Sequence, residues 1–499
     1  MPVRGATNPP LPQVIQGGMG VGISAWPLAR AVCQTGQLGV VSGTALDIVC
    51  ARRLQDGDPD GSVRSALAQF PDQAIARWIV DTYFVEGGIA VGQAYRPVPR
   101  YTLAPARRLL ELNVAANFVE VYLAKLGHDR PVGINYLRKV ELPLPSALYG
   151  AMLAGVDYIL IGAGSPAEVP ELVRRLSRHE DVELDVRVMG ARSSDGVGPC
   201  RFSPKAVIAQ PAAPLTVPRV VAIVASSDLA VALAENPQTR PDGFVIEGPS
   251  AGGHNAPPRG PRELDERGQP VYGIRDAVDP VAVAALGVPF WLAGSYAAPG
   301  RLREALAVGA SGVQVGTAFA FCDESGFTEA TKRAVRSRVA DGSLTVRADW
   351  RVSPTGFPFH VAELEGTLDD PAVAAARVPV CDLGFLRSPY LTPDGAVGFR
   401  CPAEPPAQYL RKGGKEANIE GRRCVCNALL AAAGFPQRRP GGATEPPIVT
   451  AGHDLAPVAA IARRAGRADG GYSAEDVVAH LLAGHASVPS RHSMAVVPS

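Results

Sequence analysis

Residues 157–177 read DYILIGAGSPAEVPELVRRLS. The run YILI carries no polar residue, Gly162 and Gly164 then mark a turn, and SPAEVPELVRRLS reads as helix. A strand covered on both faces shows a continuous apolar run rather than an alternating one. Strand, glycine turn and helix in that order make a βα unit, the building block of parallel sheets.

The same rhythm recurs along the first two thirds of the chain. PQVIQGG near residue 14, LGVVSGT near 40, PVGINYL near 133 and RVVAIVASS near 222 repeat it, as do GFVIEGPSAGG near 245, PFWLAGS near 291 and GVQVGTAF near 314. Between them lie helical stretches such as LARAVCQTG, LYGAMLAG, DPVAVAALG and RLREALAVG, several ending on the glycine that a helix C-cap favours. Eight parallel strands predict an α/β protein, a closed (β/α)8 TIM barrel with a helical insertion and a C-terminal extension. An open doubly wound sheet is the alternative, because periodicity does not give strand order.

The interval 58–128 is too long for one crossover and predicts the helical insertion, through QFPDQAIARWIVDTYF and LAPARRLLELNVAANFVEVYLAKLG. Residues 185–216, with RSSDGVGP and QPAAP, read as a loop-rich excursion before the fifth strand. The barrel is expected over 1–345 and the extension, packed on it, over 346–499, with a weakly structured tail from about 484.

Bulk composition excludes several classes. With 499 residues, 46% hydrophobic and 19% charged, the chain is long and apolar enough for a large core. Lys plus Arg number 49 against 48 Asp plus Glu, which leaves no net field for nucleic acid or an anionic membrane. The uncharged segment Pro280–Gly300 is long enough to raise a membrane span, but its glycines and prolines divide it into helix, strand and turn. MPVRGATNPPLPQVIQGG lacks a signal-peptide core, so a cytoplasmic location is the expectation. Eight scattered cysteines do not form a secreted disulfide framework.

In a barrel of this kind the chemistry sits at the C-terminal ends of the strands. Those ends offer Gly17 to Gly20, Ser42-Gly43-Thr44, Asn135, Gly162 to Gly164, Ser226-Ser227, Glu247 to His254, Gly294-Ser295 and Gly316-Thr317. Glycines in this number let something flat and large approach the backbone. The last two ends supply amides and hydroxyls where barrels commonly hold a phosphate. No strand end carries a carboxylate cluster, a CxxC or an HExxH, so no metal is expected there. GGMG is too short for a dinucleotide fingerprint.

His254 is the one histidine at a strand end. An imidazole titrates near neutrality and can exchange a proton with a carbon acid, and two preceding glycines let its loop approach a ring. Cys381, Cys401, Cys424 and Cys426 lack paired knuckles and are expected as unligated thiols. SPTGFPFH, Ser353 to His360, is either a cover for the barrel mouth or a plain connector.

IQGGMG at the first strand, GIN at the third, Glu followed by GGH at the sixth and GVQVGTAF at the eighth together resemble the nitronate monooxygenases, formerly called 2-nitropropane dioxygenases. The resemblance spans about residues 12 to 325. The same barrel serves FMN-dependent enoyl-acyl carrier protein reductases, including trans-acting reductases of polyunsaturated fatty acid and polyketide synthases. It implies one noncovalent FMN across the barrel mouth. Its phosphate would meet Gly294, Ser295, Gly316 and Thr317, while Gly18, Met19, Gly20, Asn135, Glu247, Gly252 and Gly253 would line the ring and ribityl chain. His254 matches the family's catalytic histidine and would act as acid/base beside the flavin, with dioxygen as electron acceptor. Two departures stand out: the long insertion and extension, and AGS at the seventh turn where a second glycine is usual.

Three functions follow from the resemblance: oxidation of alkyl nitronates by dioxygen, NAD(P)H-dependent reduction of an enoyl thioester with an acyl carrier protein as partner, or a non-catalytic flavin-binding subunit of a biosynthetic assembly. The presence of His254 argues against the third.

Overall fold

The computed structural model describes residues 10–192, 195, 197–209 and 213–483. The tail expected from about 484, and parts of the excursion over 185–216, lie outside the described residues.

All eight expected strands form: β1 (Val14–Gln16), β2 (Gly39–Ser42), β3 (Val132–Leu137), β4 (Tyr158–Gly162), β5 (Arg219–Val224), β6 (Gly243–Glu247), β7 (Phe290–Ala293) and β8 (Gly312–Val315). They make one parallel sheet in which β2 through β8 each pair with their sequence neighbours and β8 pairs with β1. The seam between β1 and β2 closes through a single parallel bridge, Ile15 to Leu38. There the Gln16 N–H donates to Leu38 O at 2.9 Å and the Leu38 N–H to Val14 O at 3.1 Å. The sheet is therefore a closed TIM barrel and the open-sheet alternative falls.

Gln16 shows how a polar residue serves that short seam. Its Oε1 accepts from the Val40 N–H at 3.0 Å, and its Nε2 donates to Ser24 Oγ at 2.8 Å. Fully buried, it supplies a side-chain hydrogen bond where the ladder is brief.

Both strand faces are covered, which is why the runs read as continuously apolar. Ile15, Val40, Tyr158, Leu160, Val221, Val245 and Trp291 form one buried cluster within the barrel, and the Trp291 indole N–H donates to Pro12 O at 2.7 Å. Their strand neighbours point outward: Ile134, Ile159 and Ile161 join one helical layer, and Val14, Phe244, Ile246 and Val313 another. Each such side chain contributes roughly 1.5–3 kcal/mol by leaving water.

The segment 58–128 holds helices Ser62–Leu67, Gln73–Tyr83 and Arg107–Lys125, with residues 84–106 in neither helix nor strand. The last of these packs against helix Leu144–Leu153 and against β2 and β3. It thus occupies the place of the ordinary crossover helix. The excursion after β4 contains a hairpin, Val182–Leu184 against Cys200–Phe202.

Beyond helix Glu329–Ala340 the chain changes character. Val346–Asp349 and Phe359–Ala362 pair antiparallel, Ser388–Leu391 pairs with Val397–Arg400, and helices Val425–Ala432, Ala456–Ala465 and Ala474–Leu482 follow. Val352, Phe359, Val361, Leu368, Val425, Ala428 and Ile448 give this part a core of its own. It is fastened to the barrel by Tyr472, whose hydroxyl donates to Ala318 O at 2.8 Å, and by Arg52, which donates to Phe435 O at 2.5 Å. Among the described residues no helix is long and apolar enough to cross a membrane.

Candidate active site

A cavity of about 470 Å³ lies at the C-terminal mouth of the barrel. Gly18, Met19, Gly20, Asn135, Glu247, Gly252, Gly253, His254, Gly294, Ser295, Gly316 and Thr317 all line it. Every residue that the family resemblance assigned to the site is thus brought to one place, whereas Ser42, Gly43, Ser226 and Ser227, also at strand ends, do not line it.

The local backbone explains the composition. Gly18 sits so close to β3 that a Cβ there would lie 2.3 Å from Asn135 Cβ. Gly294 has φ of +92°, and its Cβ would meet Ser250 Oγ at 3.1 Å. Ala45, Ala163 and Ser295 also adopt positive φ although they carry side chains, and all three line the cavity. Strain of this kind, of order 1–3 kcal/mol per residue, is held where the surrounding structure over-determines it, commonly at functional sites.

On the β7 and β8 side the groups are small and neutral. Ser295 Oγ donates to Ser250 Oγ at 2.9 Å, and Thr317 Oγ1 accepts from the Gly452 N–H at 2.8 Å, leaving its own O–H as a donor. Serine in place of a second glycine therefore brings a hydroxyl to the seventh turn, with its hydrogen engaged by Ser250.

Ionisable groups stand at the ends of β6, next to β7, and of β3. Glu247 ends β6, and Lys139 follows β3, fixed by its N–H donating to Ala163 O at 3.2 Å, with its Nζ 5.0 Å from the Phe357 ring centroid. Burial raises the Glu247 carboxyl to about 7 against the opposing pull of Lys139, and burial lowers Lys139 to about 8. His254 is held well below the ordinary imidazole range, by burial first and by Lys139 second. The sequence led us to expect an imidazole titrating near neutrality. Instead His254 is neutral there, and the groups that titrate near neutrality are the carboxyl and the lysine.

His254 is held from outside the barrel. Gly253 and His254 pair as a short strand with Phe359 and His360, giving the hairpin of the extension a third member. His254 Nε2 stands 2.6 Å from Ser353 Oγ, which in turn lies 2.8 Å from Thr355 Oγ1, and the Phe359 ring packs edge-on at 4.5 Å. SPTGFPFH is thus no plain connector. Phe357 and Phe359 line the cavity, joined by Phe385, Leu386, Val425 and Leu429 of the extension.

Three buried acceptors of cavity-lining residues have no partner, Asn255 Oδ1 and, on the barrel strands themselves, Asn135 Oδ1 and Gln314 Oε1. Asn135 spends its amide N–H on Gly18 O at 3.1 Å. Buried acceptors left unpaired cost about 1–3 kcal/mol each, so the two on the strands fit a ligand that brings hydroxyl or N–H donors.

Lys139 and Gln314 were not found from the sequence, although a signal existed for both. Lys139 is the charge that ends PVGINYLRK, and β3 runs on to Leu137 rather than stopping at Asn135; Gln314 is the single polar residue inside GVQV. Ser353 stood in SPTGFPFH, read as a possible cover for the barrel mouth, but nothing local pointed to its bond with His254.

Residues 203–351 match the family model of nitronate monooxygenase. Over 118 residues the chain is 38% identical to the nitronate monooxygenase of Pseudomonas aeruginosa, a stretch covering 23% of this chain and 32% of that protein. Over 105 residues it is 37% identical to a probable nitronate monooxygenase of Bacillus subtilis, covering 21% and 28%. The matches thus span a third or less of these curated relatives. Among solved structures, nitroalkane oxidase from Streptomyces ansochromogenes is 15% identical with 95% of each chain covered and a TM-score of 0.45. FabK from Thermotoga maritima is 18% identical, with 73% of each chain covered and a TM-score of 0.37. The resemblance to nitronate monooxygenase read from the sequence is found again by comparison, and the matched segment contains β5 to β8 with His254.

Proposed function

We propose that this chain is an FMN-dependent oxidoreductase of the nitronate monooxygenase type, oxidising alkyl nitronates with dioxygen. One observation carries the reading: a half-buried, neutral histidine and a lysine share a cavity with the glycine-rich ends of β1, β7 and β8. The cofactor fits by the same cavity. Ser295 and Thr317 offer hydroxyls on the side read as the phosphate seat, and the unpaired acceptors of Asn135 and Gln314 suit ribityl hydroxyls or a ring N–H. When bound, FMN supplies the electron transfer between substrate and dioxygen.

The residues of the chain do the rest. Lys139, cationic below about 8, matches the negative charge of a nitronate. His254 bonds to Ser353 through Nε2, so its Nδ1 is the atom free to face substrate. With Nε2–H donating to Ser353, Nδ1 is a base; with the serine donating, Nδ1–H is a hydrogen-bond donor. The hydroxyl pair of Ser353 and Thr355 permits either state. Phe357, Phe359, Phe385 and Leu386 exclude water and receive the alkyl part.

The apolar wall also favours a second reading, reduction of an enoyl thioester by NAD(P)H, with an acyl carrier protein as partner. Oxygen uptake with propyl and ethyl nitronate, set beside NAD(P)H oxidation with a crotonyl thioester, separates the two. Purified protein should be yellow and release FMN on denaturation. A colourless protein that takes up no added FMN refutes both.

A further inference from the structure

Eight cysteines are free, and four of them, Cys381, Cys401, Cys424 and Cys426, converge from three parts of the extension on one small cavity behind the active-site wall. Cys426, Leu386 and Val425 line both this cavity and the barrel mouth. Within the cluster the thiols of Cys381 and Cys401 hydrogen-bond to each other. Among the described residues no three His, Cys, Asp or Glu side chains are grouped to hold a metal ion. The arrangement is a touching pair with two neighbours, not a ligand cage.

The pair is chemically unequal. Cys381 is only partly buried, and the Cys401 S–H bond, with Arg387 and Arg100 nearby, favours its thiolate against the opposing effects of burial and of the Glu404 charge. Arg100 Nη1 also donates to Cys381 O at 3.1 Å. Cys401 is buried and kept protonated. By contrast Cys33 and Cys50, on the helices Trp26–Gln34 and Leu46–Gln55 of the barrel, are pushed up to about 12 by burial. A stabilised, accessible thiolate beside a protonated partner is the arrangement of a reactive dithiol.

We propose that Cys381 and Cys401 are a redox-active dithiol that reduces a hydroperoxide and closes to a disulfide. The Cys381 thiolate attacks one peroxide oxygen: an S–O bond forms, the O–O bond breaks, and the leaving alkoxide or hydroxide takes a proton. Cys401 then gives up its proton and attacks the Cys381 sulfur, forming S–S and expelling hydroxide, which leaves as water. Two thiols lose two electrons, and the peroxide becomes an alcohol or water plus one water.

The test uses the full chain as purified with its flavin, treated with hydrogen peroxide, alkylated with iodoacetamide and mapped by mass spectrometry. The expected result is loss of two of the eight free thiols, a Cys381–Cys401 cross-linked peptide, and its reversal by dithiothreitol. Before oxidation, Cys381 should alkylate at least about tenfold faster than Cys33 or Cys50. Cys401→Ser should leave Cys381 as a sulfenic acid captured by dimedone. Tightly bound zinc or iron protecting the thiols, a cross-link joining other cysteines, or a Cys381 no faster than Cys33 each overturns the proposal; the last is read on unmodified protein and needs no variant to fold.

Discussion

The two sides of the barrel mouth are built on different physical terms. Toward β7 and β8 the wall is backbone and hydroxyl, from Gly294, Ser295, Gly316 and Thr317, with Ser295 in a strained left-handed conformation. Toward β3 and β6 it is ionisable, with Lys139, Glu247 and His254 half-buried beside aromatic rings of the extension. The first side can recognise the same group in many proteins, because amides and hydroxyls bind by geometry. The second sets protonation, because in a dry cavity each charge changes its neighbours' affinity for protons.

The comparison breaks most sharply at His254. His254→Asn should lower turnover by about 10²–10⁴-fold while FMN stays bound, since its loss touches the ionisable side alone. Flavin absorbance and steady-state rates measure both; equal activity would return His254 to a structural role.

Ser353→Ala tests whether the extension positions that histidine. Removing one hydrogen bond of about 1–1.5 kcal/mol predicts a loss of roughly five- to tenfold in kcat, with flavin affinity unchanged. Ser353→Thr, which restores a hydroxyl, should recover most of it.

Glu247→Gln has the smallest expected effect on rate and the clearest on pH. As pH rises through about 7 the parent carboxyl ionises, and that transition should vanish from the flavin spectrum and from kcat/KM in the variant. Glu247 raises Lys139, so without it the lysine should lose its proton below about 8. Well below pH 7, where Glu247 is protonated in the parent, the two proteins should behave alike. A transition near 7 that survives in Glu247→Gln would assign it elsewhere.

The same contrast explains what could be read from the sequence. β1 to β8 were legible because strands buried on both faces must be continuously apolar and must be followed by turns. The cradle of glycines was legible for the same reason, as it lies at the ends of those runs. SPTGFPFH was legible as a possible cover for the mouth, but the bond from Ser353 to His254 was not, since it spans 99 residues and no local period encodes it. Lys139 failed differently: the reading stopped at Asn135, two residues short of the true end of β3. The protonation of His254 was misjudged because burial by a distant segment cannot be seen in the GGH that contains it.

Within the one mouth, Thr317 at the turn read as the phosphate seat is bonded by Gly452 of the extension, and His254 is bonded by Ser353. A ligand in that mouth and the extension therefore share contacts at both residues, and the two must be energetically linked. Whatever free energy the docked extension lends to ligand binding, the bound ligand returns to docking in equal measure. Retention of a flavin and resistance of residues 346–483 to proteolysis should accordingly rise and fall together.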